Sequence, residues 1–342
     1  MTTVTSTDSA PTTAPNTPSS PELASGHVPP EPVTAFPIPS SLSPSRVSSF
    51  TSCPMQFRFS SVQRLPEPPG VATTKGTIVH RALESLFELP GPDRTPEALA
   101  TTLERALEEY STHPDYVGLQ LDDNAAATFR TDCTKLIARY FDMEDPTTIR
   151  DIGLEVRMAA QVGSLELRGI IDRLELDEAG ELVVTDYKTG RAPSGNYEQK
   201  SLAGVHFYSF LCEAVLGKRP SKIRLMYLST GETIETVPSA QSVRFIQTRT
   251  KAVWNAVERA CTTGDFRPNQ SRLCSWCSFQ QWCPAFDGDP DRAGTEAVDV
   301  YNALMSGAAA GDDRPTDVPA DVATGDAGHA SAEVSVSVGD AG

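Results

Sequence analysis

The chain has 342 residues, 39% of them hydrophobic and 22% charged, with a formal net charge of −16. That length suits one large domain or two small ones, and no stretch approaches 18 consecutive apolar residues, which argues against a membrane-spanning helix. The sequence does not open with a basic segment followed by an apolar one, and its seven cysteines include four at ligand-like spacing, so a reducing, cytoplasmic setting is expected over a secreted disulfide framework.

Residues 1–40 are rich in Ser, Thr and Pro, contain no Lys or Arg, and have too little to bury for a packed core; they are expected to be a disordered tail. The folded part opens at Ser43-Pro44-Ser45, with Ser45 expected to cap a short helix ending near Cys53-Pro54. Lys75 to Phe87 carries a helical apolar stripe through Ile78, Val79, Ala82, Leu83 and Leu86 that cannot run past Pro90. Two further amphipathic helices are predicted over 96–111, through Leu99, Leu103 and Leu107, and over 124–141, through Phe129, Leu136, Ile137 and Tyr140. The period then shortens. Strands are expected over 152–159, 164–176 and 181–188, followed by a helix over 198–216 that Gly217 caps. A strand pair over 222–229 and 232–237 turns at Thr230-Gly231, and a helix over 240–263 closes the domain. This order describes an α/β core with a helical insertion over residues 41–287. Residues 288–342 are mostly Ala, Gly, Asp and Val, with no aromatic after Tyr301, and are expected to be a second disordered tail. The two tails hold 14 acidic residues against two Arg, so the folded part carries only −4 and the acidic total says little against a nucleic-acid partner.

The chemistry concentrates at residues 182–190, Leu-Val-Val-Thr-Asp-Tyr-Lys-Thr-Gly. On a strand, positions i and i+2 share a face, so Asp186 and Lys188 project together. A carboxylate able to hold a divalent cation, beside an ammonium able to stabilise developing charge, suits phosphodiester hydrolysis. An isolated Asp-x-Lys is more commonly a solvated ion pair at a strand end.

Four separated pieces give this one its context: Gly76-x-x-x-His80, Gly169-Ile170-Ile171-Asp172, Asp186-Tyr187-Lys188, and Tyr208 on the following helix. Their order resembles the RecB-like branch of the PD-(D/E)xK nuclease superfamily, over roughly residues 41–287. The resemblance implies a central mixed sheet flanked by helices, with Asp172, Asp186 and His80 as ligands of Mg²⁺ or Mn²⁺. Carboxylates suit the harder ion and an added imidazole suits Mn²⁺. It implies that Lys188 stabilises the transition state or orients water, and it matches Glu155 to an acidic position near the metal. Tyr208 matches the tyrosine of a Gln-x-x-x-Tyr helix motif, from which this chain departs by carrying Gly204 at the Gln position. The plainer alternatives are a satisfied helix histidine at His80, and surface pairs of Asp172 with Arg168 or Arg173.

Cys274-x-x-Cys277-x5-Cys283 follows the last predicted helix, and Cys53 lies 221 positions before Cys274. Three clustered cysteines with one distant partner resemble the iron–sulfur staple of AddB-type nuclease domains, which implies a 4Fe–4S cluster on these four thiolates; zinc is the alternative occupant. Such a staple closes a loop of more than 200 residues, worth about 4 to 5 kcal/mol by analogy with a long disulfide loop. Trp276, Phe279 and Trp282, interleaved with the ligands, are expected to shield the cluster, with base stacking as the alternative. Cys133, Cys212 and Cys261 fall on predicted helices and read as core residues.

The resemblance implies a metal-dependent DNA exonuclease acting on single-stranded ends in repair or recombination. No Gly-x-x-x-x-Gly-Lys-[Ser/Thr] motif is present, so any unwinding falls to a separate helicase. Arg168, Arg173, Arg191, Lys200, Arg219, Lys222 and Arg224 are candidates to line a strand path. The alternatives are a non-catalytic iron–sulfur DNA-binding or assembly module that keeps the fold, and a zinc-stapled structural domain. Intact His80, Asp172, Asp186 and Lys188 weigh against the first and Gly204 favours it; absorbance near 400 nm in anaerobically purified protein would dismiss the second.

Overall fold

A computed structural model describes residues 35–193, 198–306 and 333–338, all within one unit that begins at Thr34. Strand β1 (Ser41–Leu42) leads into helices α1 (Pro44–Ser52) and α2 (Pro54–Phe57), followed by a π-helical turn over Arg58–Val62. Ser43, not Ser45, caps α1: its hydroxyl accepts from the Arg46 N–H at 3.3 Å, and Pro44 takes the first helical position, where a missing N–H costs nothing. A helical lobe comes next, made of α3 (Val71–Phe87), α4 (Pro96–Tyr110), α5 (Pro114–Val117) and α6 (Asp123–Tyr140). Then follow β2 (Arg150–Val162), β3 (Leu165–Leu176), β4 (Leu182–Lys188), α7 (Glu198–Leu216), β5 (Lys222–Tyr227), β6 (Glu232–Thr236) and α8 (Ala240–Thr263). Short 3₁₀ turns carry the last cysteines, and α9 (Ala293–Met305) and β7 (Glu333–Val338) complete the described chain.

The strands form one mixed sheet in the order β6-β5-β4-β3-β2-β7, with β1 parallel to β3 off that path. The β2–β3, β3–β4 and β5–β6 pairs are antiparallel, whereas β4–β5 and β2–β7 are parallel. The β4–β5 crossover is α7, as a parallel connection requires. Alternate residues of the central strands feed two cores. Val184, Leu225 and Tyr227 join α7, α8 and the aromatic residues of α1 and α2. Tyr187, Met226 and Leu228 join Ile78, Leu83, Leu103, Phe129 and Tyr140 of the lobe. This is the mixed α/β architecture expected for a PD-(D/E)xK nuclease, with the helical insertion placed before the sheet.

Two glycines set how closely the layers approach. A Cβ on Gly76 would lie 3.2 Å from the Thr189 hydroxyl, so α3 can press against the end of β4. A Cβ on Gly169 would lie 2.7 Å from Leu211 and 3.3 Å from the Tyr208 ring, so α7 can lie directly on β3.

The ordered part extends beyond both expected boundaries. The Phe36 N–H donates to the Cys261 carbonyl at 2.9 Å, and the Phe36 ring meets Phe266 edge-on at 5.5 Å. At the other end, α9 buries Ala293 and Ala297 in the first core. It is held by Trp282 donating to Glu296 at 3.0 Å and by Gln120 donating to the Leu304 and Met305 carbonyls at 3.0 and 2.8 Å. Its small alanines, which lowered the apparent hydrophobicity, are what permit close packing. Residues 1–34, 307–332 and 339–342 of the two expected tails lie outside the described residues.

Candidate active site

Four elements, α3, β2, β3 and β4, meet where the C-terminal end of β4 passes Asp172 within β3. The β-forming run Leu182-Val183-Val184 is buried and carries Asp186 out to the sheet end, while Gly76 lets α3 bring His80 alongside. His80 Nδ1 lies 3.6 Å from Asp172 Oδ2, and that same oxygen accepts the Tyr187 backbone N–H at 2.7 Å. One donor atom from each of His80, Glu155 and Asp172 lies within 4.8 Å of the others, all three half-buried. Asp186, with its side chain 5% exposed, points Oδ2 at Lys188 Nζ, 2.6 Å away. That oxygen is buried without an aligned hydrogen bond, so the contact is an ion pair with coordination capacity left over.

The tightest group joins His80, Glu155 and Asp172, while Asp186 is engaged by Lys188. Glu155 sits across from Asp172, between the register pairs Leu154↔Arg173 and Val156↔Ile171. Its φ is +45°, a left-handed conformation rare for a non-glycine residue inside a strand. The β2–β3 register also shifts between Asp151 and Gly153. Such strain persists only when surroundings enforce it, and it accompanies functional positions. The sequence signal was Gly153, an isolated glycine within a strand pattern, which marks a bulge.

Charge crowding follows from this geometry. Burial pushes the Glu155 carboxyl up to about 8, reinforced by the negative charges of Asp172, Glu84 and Asp186 against the opposing effect of Arg157. Burial and the Asp186 charge raise Asp172, with His80, Lys188 and the Tyr187 N–H acting against them. Burial pulls Lys188 down, but the Asp186 and Asp172 carboxylates outweigh it, and its ammonium is held above its ordinary value. Three carboxyls and an imidazole of mixed hard and borderline character, sharing a partly dry site with excess negative charge, form a donor set that fits a divalent cation.

Tyr208 is half-buried on α7 and packs beside Gly169, three residues before Asp172. A Cβ on Gly204 would meet nothing within 4 Å, so the missing Gln side chain leaves open space; the side chains of Gln199 and Lys200 lie outside the described residues. Two of the arginines considered for a strand path are elsewhere. Arg173 is fully buried, donating to Glu144 at 2.6 and 2.9 Å and to Glu175 at 2.5 Å, and Arg224 bonds Glu175 at 2.6 Å and Glu144 at 3.2 Å. An alternating strand pattern does not reveal a charge satisfied inside the fold. Arg168, Arg219 and Lys222 pair with Glu166, Glu213 and Glu235, and Arg191 is exposed.

Against the first core, Cys53, Cys274, Cys277 and Cys283 line one pocket with Phe59, Phe279 and Phe286. Two of the sulfurs accept a backbone N–H, Cys53 from Asn269 at 3.5 Å and Cys274 from Ser271 at 3.4 Å. Among the described residues, no three of these sulfurs lie within 4.8 Å of one another. Burial pushes the Cys277 thiol up to about 11 and raises Cys283. Phe279 and Trp282 are buried beside the group, while Cys133, Cys212 and Cys261 are fully buried in the cores as expected.

The sheet order defines a mixed α/β protein, with His80, Asp172, Asp186 and Lys188 gathered near the C-terminal end of β4. The sequence profile of the PD-(D/E)XK nuclease superfamily matches residues 41–284, and the chain belongs to that superfamily. Among solved structures, it is similar to a provisionally assigned exonuclease from Eubacterium rectale, at 12% identity and a TM-score of 0.45, over 70% of this chain and 87% of that one. It is also similar to SSO0001, at 13% identity and a TM-score of 0.35, over 72% of this chain and 86% of that one. No curated protein matches the sequence.

Proposed function

We propose that the chain is a metal-dependent DNA exonuclease of the RecB-like branch, acting on single-stranded ends in repair or recombination. The observation that carries this reading is the meeting of His80, Glu155 and Asp172 donor atoms within 4.8 Å, beside an Asp186–Lys188 pair, in a PD-(D/E)XK chain. His80, Asp172 and Asp186, with Glu155, would hold Mg²⁺ or Mn²⁺. When bound, the cation supplies Lewis-acid polarisation of the phosphate and acidifies water. Lys188, kept protonated by two carboxylates, offers its ammonium to the charge that develops on the phosphoryl oxygens. Asp186 orients that ammonium, and Tyr208 supports β3 from α7. Loading with a single strand by a separate helicase, in the cytoplasm, fits a chain whose sequence carries no phosphate-binding loop.

The four-thiol pocket is read as an AddB-type 4Fe–4S site. Four thiols lining one pocket supply the ligand number that a cluster needs, and backbone N–H groups reach Cys53 and Cys274. Zinc on the same four thiolates is the other occupant.

The test is digestion of end-labelled single-stranded DNA by anaerobically purified protein with Mn²⁺ or Mg²⁺, beside Lys188→Ala and Asp186→Ala. Cleavage that needs the metal and disappears in both variants is expected. Binding without cleavage under either metal would replace this reading with the non-catalytic DNA-binding module.

A further inference from the structure

We propose that Tyr187 is the positioning residue of the candidate cation site, tying Asp172 and His80 together through one residue that Arg173 anchors. This rests on the reading that His80 and Asp172 hold the cation.

Asp186 and Lys188 project from one side of β4, and Tyr187 from the other, where its side chain is buried in the lobe core. Three groups of this one residue are fixed. Its backbone N–H donates to Asp172 Oδ2 at 2.7 Å, on the carboxylate oxygen nearest His80 Nδ1. Its ring meets the His80 ring edge-on, with centroids 6.1 Å apart, and meets Tyr140 at the same distance. Its hydroxyl accepts from Arg173 Nη1. The anchor itself does not move easily: Arg173 is fully buried, gripped by Glu144 and Glu175, and its guanidinium lies 4.5 Å over the ring of Phe87. Phe87 and His80 lie on the same helix, α3, so the Arg173–Tyr187 contact closes a circuit from β3 through β4 to α3.

A carboxylate and an imidazole on separate elements bind a cation well only if their separation is set in advance. The groups behind the ligands usually set it, at a cost of about 10- to 100-fold in metal affinity when lost. Here the Arg173–hydroxyl bond fixes the tyrosine ring, the ring limits how far His80 can rotate, and the strand that carries the ring presents its N–H to Asp172. A phenylalanine at 187 would keep the volume and the N–H but release the ring from its anchor.

The experiment measures Mn²⁺ affinity by electron paramagnetic resonance in the full-length protein, without DNA, for wild type, Tyr187→Phe and Tyr187→Leu. Thr185→Val serves as control, because the Thr185 hydroxyl accepts from Arg173 and Arg224 in the same network without touching His80 or Asp172. Affinity is expected to fall about tenfold in Tyr187→Phe and further in Tyr187→Leu. Thr185→Val should lower the melting temperature while staying within twofold of wild-type affinity. Where cleavage is followed, saturating Mn²⁺ should restore kcat in Tyr187→Phe with KM for DNA unchanged. If Tyr187→Phe does not fold, Arg173→Lys repeats the measurement from the other end of the bond. Wild-type affinity in Tyr187→Phe, or an equal loss in Thr185→Val, overturns the positioning role and leaves the cation reading standing. A wild type that binds no Mn²⁺ overturns both.

Discussion

Glu144→Gln removes one charge from the buried network and leaves its shape intact. In the wild type, Glu144 grips Arg173 with two hydrogen bonds of 2.6 and 2.9 Å and reaches Arg224 at 3.2 Å, with only 7% of its side chain exposed. Breaking a buried pair by removing one partner costs about 3 to 5 kcal/mol, because the remaining charge stays buried. Arg173 keeps Glu175 at 2.5 Å and Gln retains one acceptor, which places the loss near the lower end, about 3 kcal/mol. For a folded part of this size that lowers the melting temperature by about 6 to 12 °C. The pH dependence gives a second readout. Burial works to raise the Glu144 carboxyl, but the Arg173 and Arg224 guanidiniums outweigh it and hold it below its ordinary value of 4.5. A folded pKa below the unfolded one contributes stability that is present at neutral pH and lost as pH falls through the folded value. Wild type should therefore lose stability progressively below about pH 4.5, and Glu144→Gln should show less of that loss. Thermal melts followed by circular dichroism between pH 3 and 7 measure both effects. A variant that melts within 2 °C of wild type at pH 7 would refute the reasoning, since it would mean that Arg173 does not depend on this partner.

Cys53→Ser removes the one thiol that links the start of the domain to its end; absorbance near 400 nm and bound iron should disappear, with about 4 kcal/mol of stability lost by the loop-closure argument, whereas one equivalent of zinc in the wild type would point to the other occupant. Burial and like charges raise Glu155 to about 8, so the metal-free protein should lose stability as pH rises from the ordinary carboxylate range towards 8, and Glu155→Gln should flatten that decline while weakening Mn²⁺ binding; melts with chelator present, and a Mn²⁺ titration, check the two halves. Ending the chain after Asp287 deletes α9 with its Trp282–Glu296 and Arg58–Asp291 contacts; it should lower the melting temperature by several degrees, and unchanged melting would show that α9 does not brace the first core.

The regular elements were legible because their patterns depend on local chemistry. Leu182-Val183-Val184 followed by Gly190 marks a buried strand and its stop, and the i, i+3, i+4 stripe through Ile78, Ala82 and Leu86 marks α3. His80, Asp172 and Lys188 were readable from their order along the chain, and the distant Cys53 from the company of three later cysteines. What was hidden depends on contacts between elements. Nothing local requires Glu155 to take a φ of +45°, because the distortion arises from how β2 passes Asp172. The arginine after Asp172 reads as solvated in an alternating strand, and only the lobe packed above it supplies Glu144. α9 was obscured by composition, since Ala293 and Ala297 pack well without looking hydrophobic.

The site and its support divide the electrostatic work in a way that the sheet's alternation makes possible. On β3 and β4, Asp172, Asp186 and Lys188 belong to the reactive cluster, while Arg173 and Tyr187, interleaved with them, point into the lobe. On the side of the candidate site, burial, reinforced by neighbouring carboxylates, raises Glu155 and Asp172. The supporting side is more fully paired: Arg173 and Arg224 face Glu144 and Glu175, and the Tyr187 and Thr185 hydroxyls accept further N–H groups. A cluster of like charges relaxes by moving apart unless the backbone is pinned, and the network pins it one residue away on each strand. An apolar core would fill the same volume, but it would not fix the Tyr187 hydroxyl, and so would not hold the N–H that reaches Asp172. Replacing buried ion pairs with apolar residues often raises stability; the charges here are better understood as holding a geometry that the neighbouring carboxylates oppose.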